Sequence, residues 1–376
     1  MLQAAKEFRI GRPQIVAGLM LLAFLAQGLW VAARRNLSPL EYNYIASGIS
    51  REAGVEYRVN SPFTSLVASV PVYLMRAVRA AAPESWRGSL AIPRPWLFRL
   101  PFVIFGVWLG GALWWVARRL FDDSGGYVAL ALFCSSPPML MVASNIGPEI
   151  ILAWSIFGLV YTAIGVAHTL YAPPHKWVPR VFILGLSIGF ALATALWSAT
   201  LVLLAFVFMF YLAPERRRNV LIVCLGACGV ALVVYAAITW WMGSWTHGPR
   251  AWLHPHASRA LLPSMAFVFM DGYVLPGMFA LALMFYGTWK RARYFGNTAP
   301  LVTAFATVLL FALVLADRMW VGALGLSFAF VFVGGIAADV LETDLRKPVK
   351  AVLTAGFLLR AVLALGTLSL WIKNGI

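Results

Sequence analysis

Leu37-Ser38-Pro39-Leu40-Glu41-Tyr42-Asn43-Tyr44 follows directly on an apolar run without a charged residue, Pro13 to Ala33. That run is long enough to cross a bilayer, which takes about 20 apolar residues. It is too long for the apolar region of a secretory leader and has no small-x-small cleavage site ahead of a soluble domain, so it reads as a retained first span. The chain therefore brings a carboxylate, Glu41, to a membrane boundary, where an ionisable group costs free energy unless something pairs with it or uses it.

The rest of the chain has the same character. It is 61% hydrophobic and 12% charged, with a mean hydropathy of +0.81, which excludes a soluble globular domain. Apolar runs recur at 13–33, 97–117, 126–144, 148–171, 178–195, 198–213, 219–242, 264–289, 299–316, 319–339 and 350–372, giving about eleven candidate spans in an all-α, polytopic helical bundle. The net charge of +16 comes from cations at the ends of these runs, the pattern of membrane orientation and anionic-lipid contact rather than of nucleic-acid binding. Cys134, Cys224 and Cys228 lie inside apolar runs without polar neighbours and read as small buried hydrophobes.

Arg118-Arg119, Lys176 with Arg180, Arg216-Arg217-Arg218, Lys290-Arg291 with Arg293, and Arg346-Lys347 with Lys350 all fall on one side if the N-terminus, with Lys6, Arg9 and Arg12, is cytoplasmic. The C-terminus is then outside. The 34–96 loop carries arginines at 34, 35, 51, 58, 76, 79, 87 and 94, but long translocated loops escape the positive-inside rule. Leu40, Tyr44, Ile45 and Ile49 recur within it at helical spacing, which predicts an amphipathic surface helix. Phe63 to Ala81, broken by Pro71 and ending in Arg76 and Arg79, reads as a second interfacial segment. We expect a single membrane domain over 1–376, with 34–96 and 242–263 as its first and second external loops.

Several segments then line up with one superfamily. Phe98-Arg99-Leu100-Pro101-Phe102 leads to Ala117-Arg118-Arg119-Leu120-Phe121, then to Ser135-Ser136-Pro137-Pro138 and Ser144-Asn145-Ile146-Gly147-Pro148-Glu149. This order resembles the RLPS, ARRLFG, SP and PE/D progression of the polyprenyl-phosphate-dependent GT-C glycosyltransferases, among them the dolichyl-phosphate-mannose protein mannosyltransferases and the lipid A aminoarabinose transferases. Asn60-Ser61-Pro62-Phe63 resembles their (H/K)-P-P-L step, and Leu40-Glu41-Tyr42-Asn43-Tyr44 stands where they carry D-E-x-x-Y. The chain departs from that pattern at Leu40, in place of the usual basic Asp, and at Asn60 and Ser61.

The resemblance implies a GT-C-like bundle that moves a sugar from a polyprenyl-phosphate donor to a glycan, lipid or protein acceptor outside the cytoplasm. Such chemistry needs a carboxylate to take the acceptor's proton and cations to hold the leaving lipid phosphate. Glu41 is the candidate base, against the alternative of a solvated helix charge paired with Arg51 or another loop arginine. Glu149, behind Gly147-Pro148, is the second catalytic candidate, although an acid in a first helical turn also suits the helix dipole. Tyr42 and Tyr44 are expected to stack on sugar or to anchor at the headgroup level, with Asn60 and Arg58 also on the substrate side. In the Met242–Pro263 loop, Arg250, Arg259 and His256 are candidate contacts to the lipid phosphate, and Arg318 is a further one. His254-Pro255-His256 lacks metal-ligand spacing, so no metal site is assigned. No cofactor is certain, and a divalent cation is the one candidate.

Loss of the leading Asp favours a different function, a non-catalytic GT-C-like scaffold or lipid-binding subunit of an envelope assembly. A transporter would carry ionisable groups or broken helices at the bilayer midplane, and of the span residues Arg360 is the main candidate. The expected location is the bacterial inner membrane, with the active face extracytoplasmic.

Overall fold

The computed structural model describes residues 11–51, 61–81, 94–243, 274–288, 294–314, 323–342 and 346–374, and no strand occurs among them. In chain order the α-helices are α1 (Arg12–Arg34), α2 (Pro39–Ser50), α3 (Pro62–Ala81), α4 (Pro95–Cys134), α5 (Pro137–Ala143), α6 (Pro148–Thr169), α7 (Pro174–Thr194), α8 (Ala199–Leu212), α9 (Arg217–Trp241), α10 (Val274–Thr288), α11 (Tyr294–Val314), α12 (Ala323–Leu341) and α13 (Arg346–Asn374). Among the described residues, seven helical segments are long and apolar enough to cross a membrane, six within α1, α4, α6, α7, α12 and α13 and one running from Pro214 through α9, and α8 and parts of α10 and α11 are shorter apolar helices. The protein is an integral membrane protein. The expected interfacial stretch, α3, is not among the candidate spans.

α4 accounts for two of the expected apolar runs. Phe121 and Asp122 leave helical geometry within it, Asp122 at φ 61. A Cβ on Gly126 would sit 2.9 Å from the Arg118 Cβ, whereas eight residues of continuous helix would separate them by about 12 Å. The chain therefore folds back, and the approaches of Gly110 to Phe133 and of Gly106 to Ala143 run up the same antiparallel seam through α5. Arg118 and Asp123 form an ion pair at the reversal.

α12 lies in the middle of the bundle, with Phe328, Phe330, Val331 and Phe332 fully or almost fully buried, and α13 lies outside it with Val352, Leu358 and Val362 exposed. Such exposed leucines and valines suit a lipid-facing wall. α7 and α9 meet through small residues: a Cβ on Gly185 would lie 2.9 Å from the Ala227 carbonyl, and one on Gly189 3.1 Å from that of Ala231. The Gly185-x-x-x-Gly189 spacing lets two backbones approach where lipid offers no hydrophobic drive.

One end of this bundle gathers the parts that matter. The end of α1, the start of α2, the start of α4 and the 144–148 turn are joined there by hydrogen bonds. The entry to α3 joins the end of α7: Ser61 Oγ donates to the Thr194 carbonyl at 2.7 Å, with Thr64 Oγ1 2.7 Å from the same hydroxyl.

Candidate functional site

The site is built on the N-terminus of α2. Ser38 caps the helix, Pro39 starts it, and Glu41 completes a capping box: the Ser38 hydroxyl accepts from the Glu41 N–H at 3.3 Å and the Ser38 N–H donates to Glu41 Oε2 at 2.8 Å. Arg51 ends the helix in the left-handed region at φ 56, with its guanidinium 4.2 Å from the Trp241 ring centroid.

Glu41 is 4% exposed and Arg99 0%. Arg99 Nε donates to Glu41 Oε1 at 2.8 Å and Nη2 donates to Oε2 at 2.7 Å, a two-pronged pair. Its other N–H groups go to the carbonyls of Ala32 (3.0 Å), Arg35 (2.7 Å) and Asn36 (2.7 Å), so all five guanidinium donors are used. Glu41 Oε1 also accepts the Ile146 N–H at 3.0 Å. Each carboxylate oxygen thus receives two hydrogen bonds. Burial pushes the Glu41 carboxyl up, but the Arg99 hydrogen bonds and charge, helped by the Ile146 and Ser38 N–H groups, outweigh it and hold it below the usual carboxylate range.

Arg35 sits at the rim of this clamp, its Nη1 donating to Asn145 Oδ1 at 2.5 Å. Burial and the neighbouring Arg99 charge lower its pKa, against the opposing pull of Glu41. Arg35 would gain from a second anion, since two guanidiniums flank a single glutamate here. Asn145 and Ile146 precede Gly147-Pro148-Glu149, so the clamp fixes the turn from which Glu149 enters α6. The Glu149 carboxylate folds back over Gly147, where a Cβ would lie 2.2 Å from Oε2. A side chain at this position would push the Glu149 carboxylate away from the turn.

The fold has solved counterparts. ArnT, a lipid A aminoarabinose transferase, from Cupriavidus metallidurans in the apo state superposes with a TM-score of 0.60 at 14% identity, over 90% of this chain and 62% of that one. The Archaeoglobus fulgidus oligosaccharyltransferase matches in its complex with Zn and sulfate (TM-score 0.56, 13% identity, 94% of this chain, 52% of that one) and in its apo form (0.55, 12%, 98% and 56%). The chain has the GT-C fold. It spans about half to two thirds of the length of these GT-C structures. No protein-family model matches the chain, and no curated protein matches it by sequence.

On this GT-C frame the expected residues separate. Glu41 has its partner, but that partner is Arg99, while Arg51 stacks on Trp241. Leu40, expected on the apolar face of an amphipathic surface helix, is 39% exposed, and Tyr42 is 58% exposed. The Arg99 pair draws the helix round so that Glu41, Tyr44, Ile45, Ser47 and Gly48 face inward. Tyr44 is fully buried in the core. Glu149 is half-buried in the first turn of α6. Asn60, Arg58, Arg250, Arg259, His256 and Arg318 lie outside the described residues.

Among the described residues no group of three or more His, Cys, Asp or Glu side chains could hold a metal.

Two features escaped the reading of the sequence although their signals were present. Ser38-Pro39-Leu40-Glu41 is a capping-box pattern with proline at the first helical position. Arg99, a charge close inside an apolar run, calls for a buried partner.

Proposed function

We propose that the chain is a GT-C glycosyltransferase that moves a sugar from a polyprenyl-phosphate donor to an acceptor on the extracytoplasmic face of the bacterial inner membrane, with 1–376 acting as one membrane domain. The observation that carries this is the corner of Arg35, Arg99 and Glu41 held against the 145–149 turn at one end of a GT-C fold. Arg35, half-buried at the rim, is the guanidinium of this corner placed to meet an anionic lipid phosphate, since Arg99 is fully buried with its five donors used inside the protein. Glu149 takes the acceptor hydroxyl's proton as its oxygen attacks the anomeric carbon. The bond from that carbon to the phosphate oxygen breaks, and its electron pair leaves with the polyprenyl phosphate. Glu41 is a positioning residue, because accepting a proton would break its bonds to Arg99. Tyr42 lies on the exposed side of α2 for sugar contact, and Arg250, Arg259, His256 and Arg318, with Arg58 and Asn60, supply the remaining donor contacts.

A second reading, a GT-C scaffold without transfer, is favoured by one specific observation: the position of the resembled Asp is occupied by Leu40, apolar and exposed. A transfer assay on the purified full chain with polyprenyl-phosphate sugars separates the two. Transfer by the wild type supports the enzyme, whereas transfer gained only on Leu40→Asp marks the chain as a degenerate member of the family that has lost its base. Donor-lipid binding without transfer in either protein supports the scaffold.

A further inference from the structure

An apolar groove of about 350 Å³ runs between α3 and the first arm of α4. Val70, Pro71 and Leu74 line it from α3, and Pro101, Ile104 and Trp108 from α4. The walls are open: Leu74 is 60% exposed, Ile104 50% and Trp108 59%. A surface this apolar on a helix long enough to span a membrane faces lipid.

The groove is on the far side of α3 from the site. Ser65, Ser69 and Tyr73 meet α2, the first two where a Cβ on Gly48 would collide with them and Tyr73 through its hydroxyl on the Gly48 carbonyl. At 100° per residue the centre of these three positions points roughly opposite to the centre of Val70, Pro71, Leu74 and Met75, which line the groove. What fills the groove is therefore separated by the thickness of α3 from the Glu41 corner. Cations stand at its end. Arg94 caps α4 one turn ahead of Leu97, which also lines the groove, and Arg79 follows Met75, another lining residue, by one turn of α3. Both arginines are exposed.

We propose that this groove holds one hydrocarbon chain of an anionic membrane phospholipid, whose phosphate meets Arg94 and Arg79, as a bound lipid distinct from the sugar donor. An all-apolar trough accepts the chain without desolvating a polar group, and basic residues at its membrane-boundary end select the head by charge.

Native mass spectrometry of the full chain, released from nanodiscs of phosphatidylglycerol or phosphatidylcholine, tests this. One phosphatidylglycerol should be retained in preference, by roughly fivefold for each arginine. Arg94→Gln and Arg79→Gln, both at exposed positions, should each reduce that preference, and Ile104→Trp should lower retention of both lipids by filling the trough. Equal retention of the two lipids by the wild type would overturn the proposal, as would a preference untouched by all three substitutions. Displacement of the phospholipid by stoichiometric polyprenyl phosphate would assign the groove to the donor and overturn it too. None of these readouts depends on sugar transfer.

Discussion

Glu41 and Arg99, one on a surface helix and the other near the start of a membrane span, meet in a buried two-pronged ion pair with contacts of 2.8 and 2.7 Å. The pair fixes three things together: the end of α1 through the Ala32, Arg35 and Asn36 carbonyls, the start of α2 through the capping box, and the 145–149 turn through Ile146. Its role follows from that reach.

Removing one partner leaves the other charge buried, which costs about 3–5 kcal/mol, whereas replacing both with apolar groups of similar volume is far milder. Glu41→Leu and Arg99→Leu should each lower the melting temperature sharply in detergent, and the double variant should be less destabilised than the sum of the two. Simple additivity would show that the pair does not act as a unit.

The same pair sets a pH dependence. Glu41 has its pKa lowered in the folded protein, so its stabilisation is complete above the ordinary glutamate value, about 4.3, and is lost as pH falls through the lower folded value. Thermal stability should hold from neutral pH to about pH 5 and decline on further acidification. Arg99→Leu, which lacks the pair, should flatten that decline.

Close packing of α7 on α9 is a separate test. Gly185→Leu would drive a side chain into Val230 and the Ala227 carbonyl, where even a Cβ comes within 2.5 and 2.9 Å. Overpacking of this kind costs about 1–3 kcal/mol, so the melting temperature should fall. Gly165→Leu meets nothing within 4 Å of its Cβ and should leave it nearly unchanged.

The orientation inferred from the basic clusters is checked by cysteine labelling in a background free of the native cysteines. Leu40→Cys should react with a membrane-impermeant reagent applied from outside intact cells, and Arg217→Cys, at the start of α9, only after permeabilisation. The reverse pattern would invert the topology.

How much of this was legible in the sequence differs from element to element. The spans were, because lipid imposes length and hydropathy directly on the residues: the runs at 97–117 and 126–144 are separate antiparallel arms even though helix continues almost unbroken from Pro95 to Cys134. The facing of α2 was not. Its apolar spacing predicts a surface helix with Leu40 on the apolar face, and nothing in that spacing shows that Glu41 is buried by a charge-assisted pair with a residue 58 positions away. Tyr44 followed the apolar pattern into the core. Periodicity records which residues prefer to leave water. It does not record which distant guanidinium will make burying a carboxylate favourable.

In the proposed reaction Glu149 is the base, and Glu41 only positions the turn that carries it. Sugar transfer from polyprenyl phosphate by Glu149→Gln, measured beside the melting temperature, tests it most directly. We predict a loss of about 10²–10⁴-fold, the range for removal of a general base, with stability and donor-lipid binding retained and with partial recovery in Glu149→Asp. Transfer by Glu149→Gln at the wild-type rate would contradict the assignment.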